Sequence, residues 1–164
     1  MRRSALILAA ALLAGACSSP SKTESDWERR TLQGEPAEEA VTPPAYPQAA
    51  NLLEFRLADA DGFRYFIDRS TLSTQKDGEV RYVLVASSNE GARNVTYEGL
   101  RCQTAENRVF AVGQPDNTWT IARGTWRPVG AARHQTLYRD YFCPGGQPIR
   151  NAADGVRALE RGGR

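Results

Sequence analysis

The side chains that could carry out covalent or acid–base chemistry are few. His134 is the single histidine, and the cysteines are Cys17, Cys102 and Cys143. A Ser-His-Asp or Cys-His relay could use His134, but the chain has no Gly-x-Ser-x-Gly elbow, and a lone histidine is more typical of a surface or boundary position. A zinc site needs three or four His, Cys or carboxylate ligands. The sequence therefore predicts no catalytic residue, no metal site and no cofactor.

Carboxylates on predicted strands leave one enzymatic alternative open. Glycosidases use a pair of carboxylates, and Glu54, Glu79 and Glu98 lie in segments with strand periodicity. Glutamates on the outer face of a sheet are ordinary, so this signal is weak. Glu98 and Arg101 are the polar pair of greatest interest, and we expect them to form a salt bridge on the sheet surface.

Cys102 and Cys143 form an even pair in the part of the chain that follows Cys17. A redox centre usually places its two cysteines two residues apart and lowers the pKa of one thiol, and this spacing is absent. Because disulfides persist in exported proteins, we expect Cys102 and Cys143 to form a structural disulfide.

The N-terminus has the organisation of an export signal. Two arginines precede an uncharged apolar run that is too short to span a bilayer, and the run ends in Leu13-Ala14-Gly15-Ala16-Cys17. Small residues before a cysteine resemble a lipobox, which implies removal of residues 1–16 and acylation of Cys17, as by palmitate. Ser18 and Ser19 follow, and the lack of an aspartate there favours the outer membrane, facing the periplasm. The alternative is an ordinary signal peptide with a chance cysteine.

Residues 17–48 have the composition of a tether. Five of the nine prolines lie there, large apolar residues are sparse, and six acidic side chains face three basic ones. Such a segment buries too little surface to offset its ordering entropy. We therefore expect a flexible linker between the lipid and a domain at 49–164. That domain carries sixteen basic and thirteen acidic residues, a balance too mild for a nucleic-acid-binding protein.

The pattern of the domain predicts a sheet followed by a helix. From residue 51 onward, short runs alternate between apolar and polar side chains, as in Val80, Tyr82 and Leu84. Asp77-Gly78 supplies the positive φ of a tight hairpin turn, so these runs predict an antiparallel meander. Apolar residues at 137–142 then fall on one helical face, and a second short helix is expected at 151–161, capped by Asn151.

The predicted fold is therefore α+β, a single twisted antiparallel β-sheet of five or six strands. A C-terminal helix packs on it, and the disulfide staples helix to sheet. The alternative is a small β-sandwich or half-barrel with a helical cap.

Three segments resemble the core motifs of the CNP-like (cryptic neisserial protein-like) family. They are Asp77-Gly78-Glu79-Val80-Arg81-Tyr82, Asn94-Val95-Thr96-Tyr97-Glu98-Gly99-Leu100-Arg101-Cys102 and Asp140-Tyr141-Phe142-Cys143-Pro144. The family consists of small exported proteins or lipoproteins of Gram-negative bacteria with no established activity. The resemblance therefore implies envelope localisation and the cysteine pairing, and it implies no reaction.

Two functions follow from these observations. The first is a non-catalytic envelope lipoprotein, anchored to the membrane by its lipid, that binds an envelope protein or polymer. It predicts an exposed apolar patch or a free sheet edge. The second is a periplasmic hydrolase acting on cell-wall or polysaccharide material, which predicts a cleft with converging polar residues and shifted pKa values.

Overall fold

The computed structural model describes residues 41–57 and 62–163 of the 164-residue chain. The predicted signal peptide, Cys17 and the predicted tether as far as residue 40 lie outside the described residues. No helix in the described part is long and apolar enough to cross a membrane.

A single antiparallel sheet of eight strands forms the centre of the fold. The strands are β1 (Leu52–Phe55), β2 (Phe63–Asp68), β3 (Ser73–Thr74), β4 (Glu79–Ser88), β5 (Arg93–Arg101), β6 (Glu106–Gly113), β7 (Trp119–Ile121) and β8 (Arg127–Pro128). Six of them run in the order β1-β2-β4-β5-β6-β7, while β3 pairs with β4 and β8 pairs with β6. The predicted α+β class with one sheet is confirmed, and the two-residue strands β3 and β8 were too short to predict.

Turn chemistry and one bulge set the register of the central strands. Gly78 has a φ of 84°, and the Asp77 carboxylate accepts a hydrogen bond from the Glu79 amide at 3.0 Å, which closes the predicted hairpin between β3 and β4. Between β5 and β6 the register shifts after Tyr97, so Phe110 is the extra residue of a β-bulge.

Two helices follow the sheet. Helix α1 (Ala132–Thr136) continues into a π-helical segment (Leu137–Phe142), and short 3-10 turns stand at Ala49–Asn51 and Pro144–Gly146. Helix α2 (Ala152–Glu160) is capped as predicted, since the Asn151 side chain accepts a hydrogen bond from the Asp154 amide at 3.0 Å.

The helices cover one side of the sheet, called here the helix face. Its core contains side chains from β1, β2, β4 and β5, from the π-helical segment and from α2; the largest of those that are fully buried are Tyr82, Phe142, Ile67, Leu100 and Leu137. The disulfide between Cys102 and Cys143 joins the end of β5 to the end of the π-helical segment, with a Cα–Cα distance of 5.3 Å. The predicted pairing and the predicted staple between helix and sheet are both confirmed.

Residues 41–48, called here the strap, help to cover the opposite side, the strap face. The core of this face contains Val83, Val85, Val95, Tyr97, Phe110, Ala111 and Trp126, with Val41 and Tyr46 of the strap packed against it. Pro47 is buried. The sequence assigned these residues to the tether, whereas the structure places them on the sheet, because their prolines and tyrosine find an apolar surface that composition alone does not reveal.

Candidate functional site: a buried glutamate–histidine pair

Glu98 is a buried acidic side chain that pairs with His134, the single histidine of the chain. It lies in β5 directly opposite Tyr82 of β4, and it points to the helix face with 1% of its surface exposed. His134 Nε2 lies 2.8 Å from Glu98 Oε2. The Tyr82 hydroxyl donates to the same oxygen at 3.2 Å, and the Thr96 hydroxyl donates to Oε1 at 2.7 Å.

The prediction that His134 lies at a surface or boundary position is wrong. It is 5% exposed, because α1 begins early enough to place its imidazole under the helix, against the sheet. A signal for this was present in the sequence. His134, Leu137, Tyr138 and Tyr141 have the spacing i, i+3, i+4 and i+7, which puts the histidine on the apolar stripe of the helix.

The surroundings of Glu98 favour its charged form. Burial is the strongest single influence and by itself raises the pKa of this carboxyl. The hydrogen bond and the charge of His134, the Thr96 hydroxyl and the charge of Arg133 together outweigh burial, so the pKa of Glu98 is lowered. Burial, followed by the charge of Glu98, raises the pKa of Tyr82 well above its ordinary value, so its hydroxyl stays a neutral donor.

The strap face carries a second cluster, built from arginines and aromatic rings. The Arg101 guanidinium stacks on Trp126 at 3.9 Å from the ring centroid. Arg81 and Arg108 lie 5.1 Å and 5.2 Å from the centroid of Phe110. Guanidinium groups stack favourably on ring faces when water is excluded, so this cluster stabilises the second core.

The predicted salt bridge between Glu98 and Arg101 is wrong. Side chains three apart in a strand point to opposite faces, so Glu98 contacts His134 on the helix face while Arg101 contacts Trp126 on the strap face.

The three glutamates on strands do not converge either. Glu54 pairs with Arg64 on the exposed part of β1 and β2, Glu79 pairs with Arg81 on the strap face, and Glu98 lies on the helix face. An arrangement of two carboxylates around one substrate is therefore not formed by these residues.

The cavities on the surface of residues 41–57 and 62–163 include two with partly polar linings. The first, of about 190 Å³, adjoins the disulfide and is lined by Asp77, Gly78, Glu79, Arg101, Cys102, Gln103, Thr104 and Pro148. The second, of about 430 Å³, lies between the π-helical segment and α2 and includes Arg150, Arg157, Arg161, Asp140 and Asp154. Glu98 and His134 line neither cavity. Within the described residues no group of three or more histidine, cysteine or carboxylate side chains could hold a metal ion.

Glu79 is the titratable group of greatest chemical interest in the first cavity. Burial raises the pKa of its carboxyl, against the opposing hydrogen bond and charge of Arg81, and the charge of Asp77 raises it further. A carboxyl with a raised pKa can act as an acid, but the ion pair with Arg81 already engages one of its oxygens.

Comparison with known proteins identifies the family. The model of the CNP1-like family matches residues 33–160. This chain belongs to the CNP1-like family. It is also 27% identical over 195 residues to cryptic neisserial protein 1 of Neisseria gonorrhoeae (strain ATCC 700825 / FA 1090), an alignment that covers 100% of this chain and 95% of that protein. No solved structure matches the chain.

The geometry explains the main CNP1-like motif residue by residue. Leu100 is fully buried on the helix face, where Glu98 binds His134, and Cys102 forms the disulfide. On the strap face, Tyr97 packs on Phe110 with 5.5 Å between ring centroids. Gly99 is required there because a Cβ would lie 2.8 Å from the Phe110 ring.

The other two motifs are also used inside the fold. Asp77 and Gly78 form the turn before β4, and Tyr82 donates to Glu98. In the closing motif, Phe142 packs on Tyr82 with 5.3 Å between ring centroids, and Cys143 completes the disulfide. The residues that carry the CNP1-like resemblance therefore specify the fold.

Proposed function

We propose that this CNP1-like chain is an envelope lipoprotein, acylated on Cys17 after removal of residues 1–16, whose domain acts as a non-catalytic interaction module. The membrane, reached through the lipid, and one envelope protein or polymer are its partners. The outer membrane, on the periplasmic side, is its location.

One observation carries the non-catalytic part of the proposal. The family-like block from Tyr97 to Cys102 is engaged in packing, in the buried contact between Glu98 and His134 and in the disulfide, and only Arg101 and Cys102 of the block line either of the two cavities described. An enzyme family usually keeps its chemistry in its most recognisable motif, whereas here the motif builds the scaffold.

Exposed apolar side chains lie near the β7 edge of the sheet. Ile121 in β7 is 58% exposed and Val112 in β6 is 40% exposed. Ile121 pairs with Ala111 whereas Val112 pairs with Thr120, so the two side chains project from opposite faces of the sheet. Strand β7 is the last strand on its side of the sheet, where an extended segment could add by backbone pairing.

Site-specific photo-crosslinking in intact cells tests the interaction. A photoreactive residue at Ile121 should give one dominant adduct with an envelope component, whereas the same residue at exposed Glu90, in the turn between β4 and β5, should not. Ile121→Asp should abolish capture from a second photoreactive position at Thr120, the exposed neighbouring position of β7. Equal, diffuse labelling at Ile121 and Glu90 would remove the support for an interaction module.

Fractionation tests the anchor separately. The wild-type chain should partition into the detergent phase and carry acyl mass on Cys17, while Cys17→Ser should stay unprocessed or appear in the aqueous phase. Acyl-free wild-type protein would contradict the lipoprotein assignment and leave the interaction module untouched.

The first cavity supports a second candidate function, a hydrolase acting on cell-wall or polysaccharide material. The observation in its favour is the raised pKa of Glu79 next to Asp77. The ion pair with Arg81 counts against it. Purified wild-type protein should be compared with Glu79→Gln, after confirming that both form the Cys102–Cys143 disulfide. If the wild-type protein cleaves peptidoglycan or polysaccharide and Glu79→Gln does not, the hydrolase replaces the interaction module as the proposed function.

A further inference from the structure

The strap binds the sheet through contacts typical of proline-rich peptides. The Trp119 indole N–H donates to the carbonyl oxygen of Pro44 at 2.9 Å. The Tyr46 ring packs against the Trp119 ring with 5.3 Å between centroids, and its hydroxyl donates to the Gln114 carbonyl at 3.1 Å. Pro47, which follows, is buried.

The sequence of the strap favours the conformation that such sites recognise. Val-Thr-Pro-Pro-Ala-Tyr-Pro-Gln contains three prolines, each with its φ fixed by the ring. Thr42, Pro43 and Tyr46 each precede a proline, which steers them toward extended backbone. A segment of this kind loses little conformational entropy on binding, which is why aromatic grooves that bind proline-rich ligands are common.

The sheet has a slot shaped for a tyrosine. A Cβ on Gly113 would lie 2.8 Å from the Tyr46 ring and hydroxyl and 2.9 Å from Val95, so only glycine leaves room for that ring. Gly113 stands directly opposite Trp119 in the pairing of β6 and β7. The floor of the slot and the indole that forms its wall are therefore held together by the sheet itself.

These contacts depend on features that a proline-rich segment of another protein also offers. The indole binds a main-chain carbonyl, the slot receives a tyrosine ring, and the Gln114 carbonyl receives its hydroxyl. The strap is the N-terminal end of the described domain, joined covalently to the sheet only through residue 49. No residue of the strap belongs to a strand, so its release would break none of the pairings among the eight strands.

We propose that the groove formed by Gly113, Gln114 and Trp119 is a docking site for a proline-rich segment of another envelope protein, one in which a tyrosine precedes a proline. The strap occupies this site in cis and must be displaced before the partner binds. The inference rests on the proposed function and names the chemistry of the partner. Because the strap is covalently linked to the domain, it competes for the groove at an effective concentration on the order of millimolar. Only a ligand that binds more tightly than the strap, or that is multivalent, displaces it.

The test uses the full chain and a fluorescent synthetic peptide with the sequence of residues 41–48. Tyr46→Ala weakens the strap and leaves the groove intact, so this variant should bind the peptide at least tenfold more tightly than the wild-type chain by fluorescence anisotropy. The same peptide with alanine in place of its tyrosine should lose that gain.

The matched controls damage the groove in the same background. Adding Trp119→Ala removes the indole, and adding Gly113→Ala fills the slot, so each should abolish peptide binding to Tyr46→Ala. If Tyr46→Ala binds the peptide no better than these double variants, the proposal is wrong. A concentration-dependent dimer of the wild-type chain that Trp119→Ala abolishes would assign the groove to the strap of a second copy and overturn the separate partner.

A second measurement applies if Tyr46→Ala fails to fold, as judged by the absence of the Cys102–Cys143 disulfide. Saturating peptide added to the wild-type chain should then speed hydrogen exchange of the strap amides and leave β4 and β5 protected. Unchanged exchange in the strap would overturn the proposal. Crosslinking at Ile121 detects a partner in cells whether or not that partner is proline-rich. A crosslinked partner together with a failure of peptide binding would therefore refute the docking site and leave the interaction module standing.

Discussion

Removing the imidazole of His134 should destabilise the domain through Glu98. In the wild-type chain the carboxylate has His134 at 2.8 Å and two hydroxyl donors, and it is 1% exposed. Without the ring, the buried carboxylate loses one of its three hydrogen-bonding partners. Breaking a hydrogen bond to a charged group costs about 1.5–3 kcal/mol, and the cost lies at the upper end when the charged group stays buried. We therefore expect His134→Ala to lower the free energy of unfolding by about 3 kcal/mol at pH 7.

The effect should depend on pH with a defined sign. The pKa of Glu98 is lowered in the folded wild-type chain, so its contribution to stability is complete above the unfolded pKa and is lost as the pH falls through the folded pKa. In His134→Ala, burial is no longer outweighed, and we expect the pKa of Glu98 to rise above its unfolded value. Protonation of Glu98 then stabilises the folded variant as the pH falls. The difference in the free energy of unfolding between wild type and His134→Ala should therefore narrow between about pH 7 and about pH 4.

Urea denaturation followed by tryptophan fluorescence measures both effects by linear extrapolation. Glu98→Gln provides the matched background, because it keeps the shape and removes the charge. In that background His134→Ala should cost about 2 kcal/mol less than it does in the wild-type chain. Gln135→Ala, at the exposed next position of α1, should change stability by less than about 0.5 kcal/mol. Equal costs in both backgrounds at every pH would refute the reasoning and reduce His134 to a packing residue.

Three further predictions concern the scaffold. Replacing Cys102 and Cys143 by serine should lower the free energy of unfolding by about 4 kcal/mol, since the bond closes a separation of 41 residues, and reduction of the wild-type protein should shift the urea midpoint in the same direction. Gly99→Ala should cost about 1–3 kcal/mol in urea titrations because its Cβ overlaps the Phe110 ring, whereas Gly130→Ala, whose Cβ would have its nearest neighbour at 3.8 Å, should fall within about 0.5 kcal/mol of wild type. Tyr82→Phe should cost about 0.5–1.5 kcal/mol by the same assay, because Glu98 loses one donor.

Local periodicity predicted the parts of the fold that depend on neighbours in sequence. The alternation of Val80, Tyr82 and Leu84 marks β4, and the turn at Asp77-Gly78 follows from backbone chemistry. The disulfide was predicted from the expectation that Cys17 is acylated, which leaves Cys102 and Cys143 as the one pair. The same alternation could have excluded the salt bridge between Glu98 and Arg101, because their odd separation puts them on opposite faces.

Long-range partners account for what the sequence did not predict. Burial of His134 depends on Glu98, 36 residues away, and the binding of Pro44 depends on Trp119, 75 residues away. The strap has the composition of a linker, and only the slot above Gly113 makes it part of the domain. The bulge at Phe110 leaves no local signature either, since it is defined by the strand opposite.

The position of the disulfide at the far end of the chain has a consequence for how the protein matures. Synthesis proceeds from the N-terminus, so all eight strands emerge before α1, Cys143 and α2 exist. Without those elements the helix face of the sheet is uncovered, and Val80, Tyr82 and Leu84 are open to other hydrophobic surfaces. A ribosome that stalls or a protease that cuts before residue 143 leaves a sheet without cover or crosslink, a species prone to aggregation. The segment that follows β8 thus decides whether the eight strands become a covered and crosslinked domain.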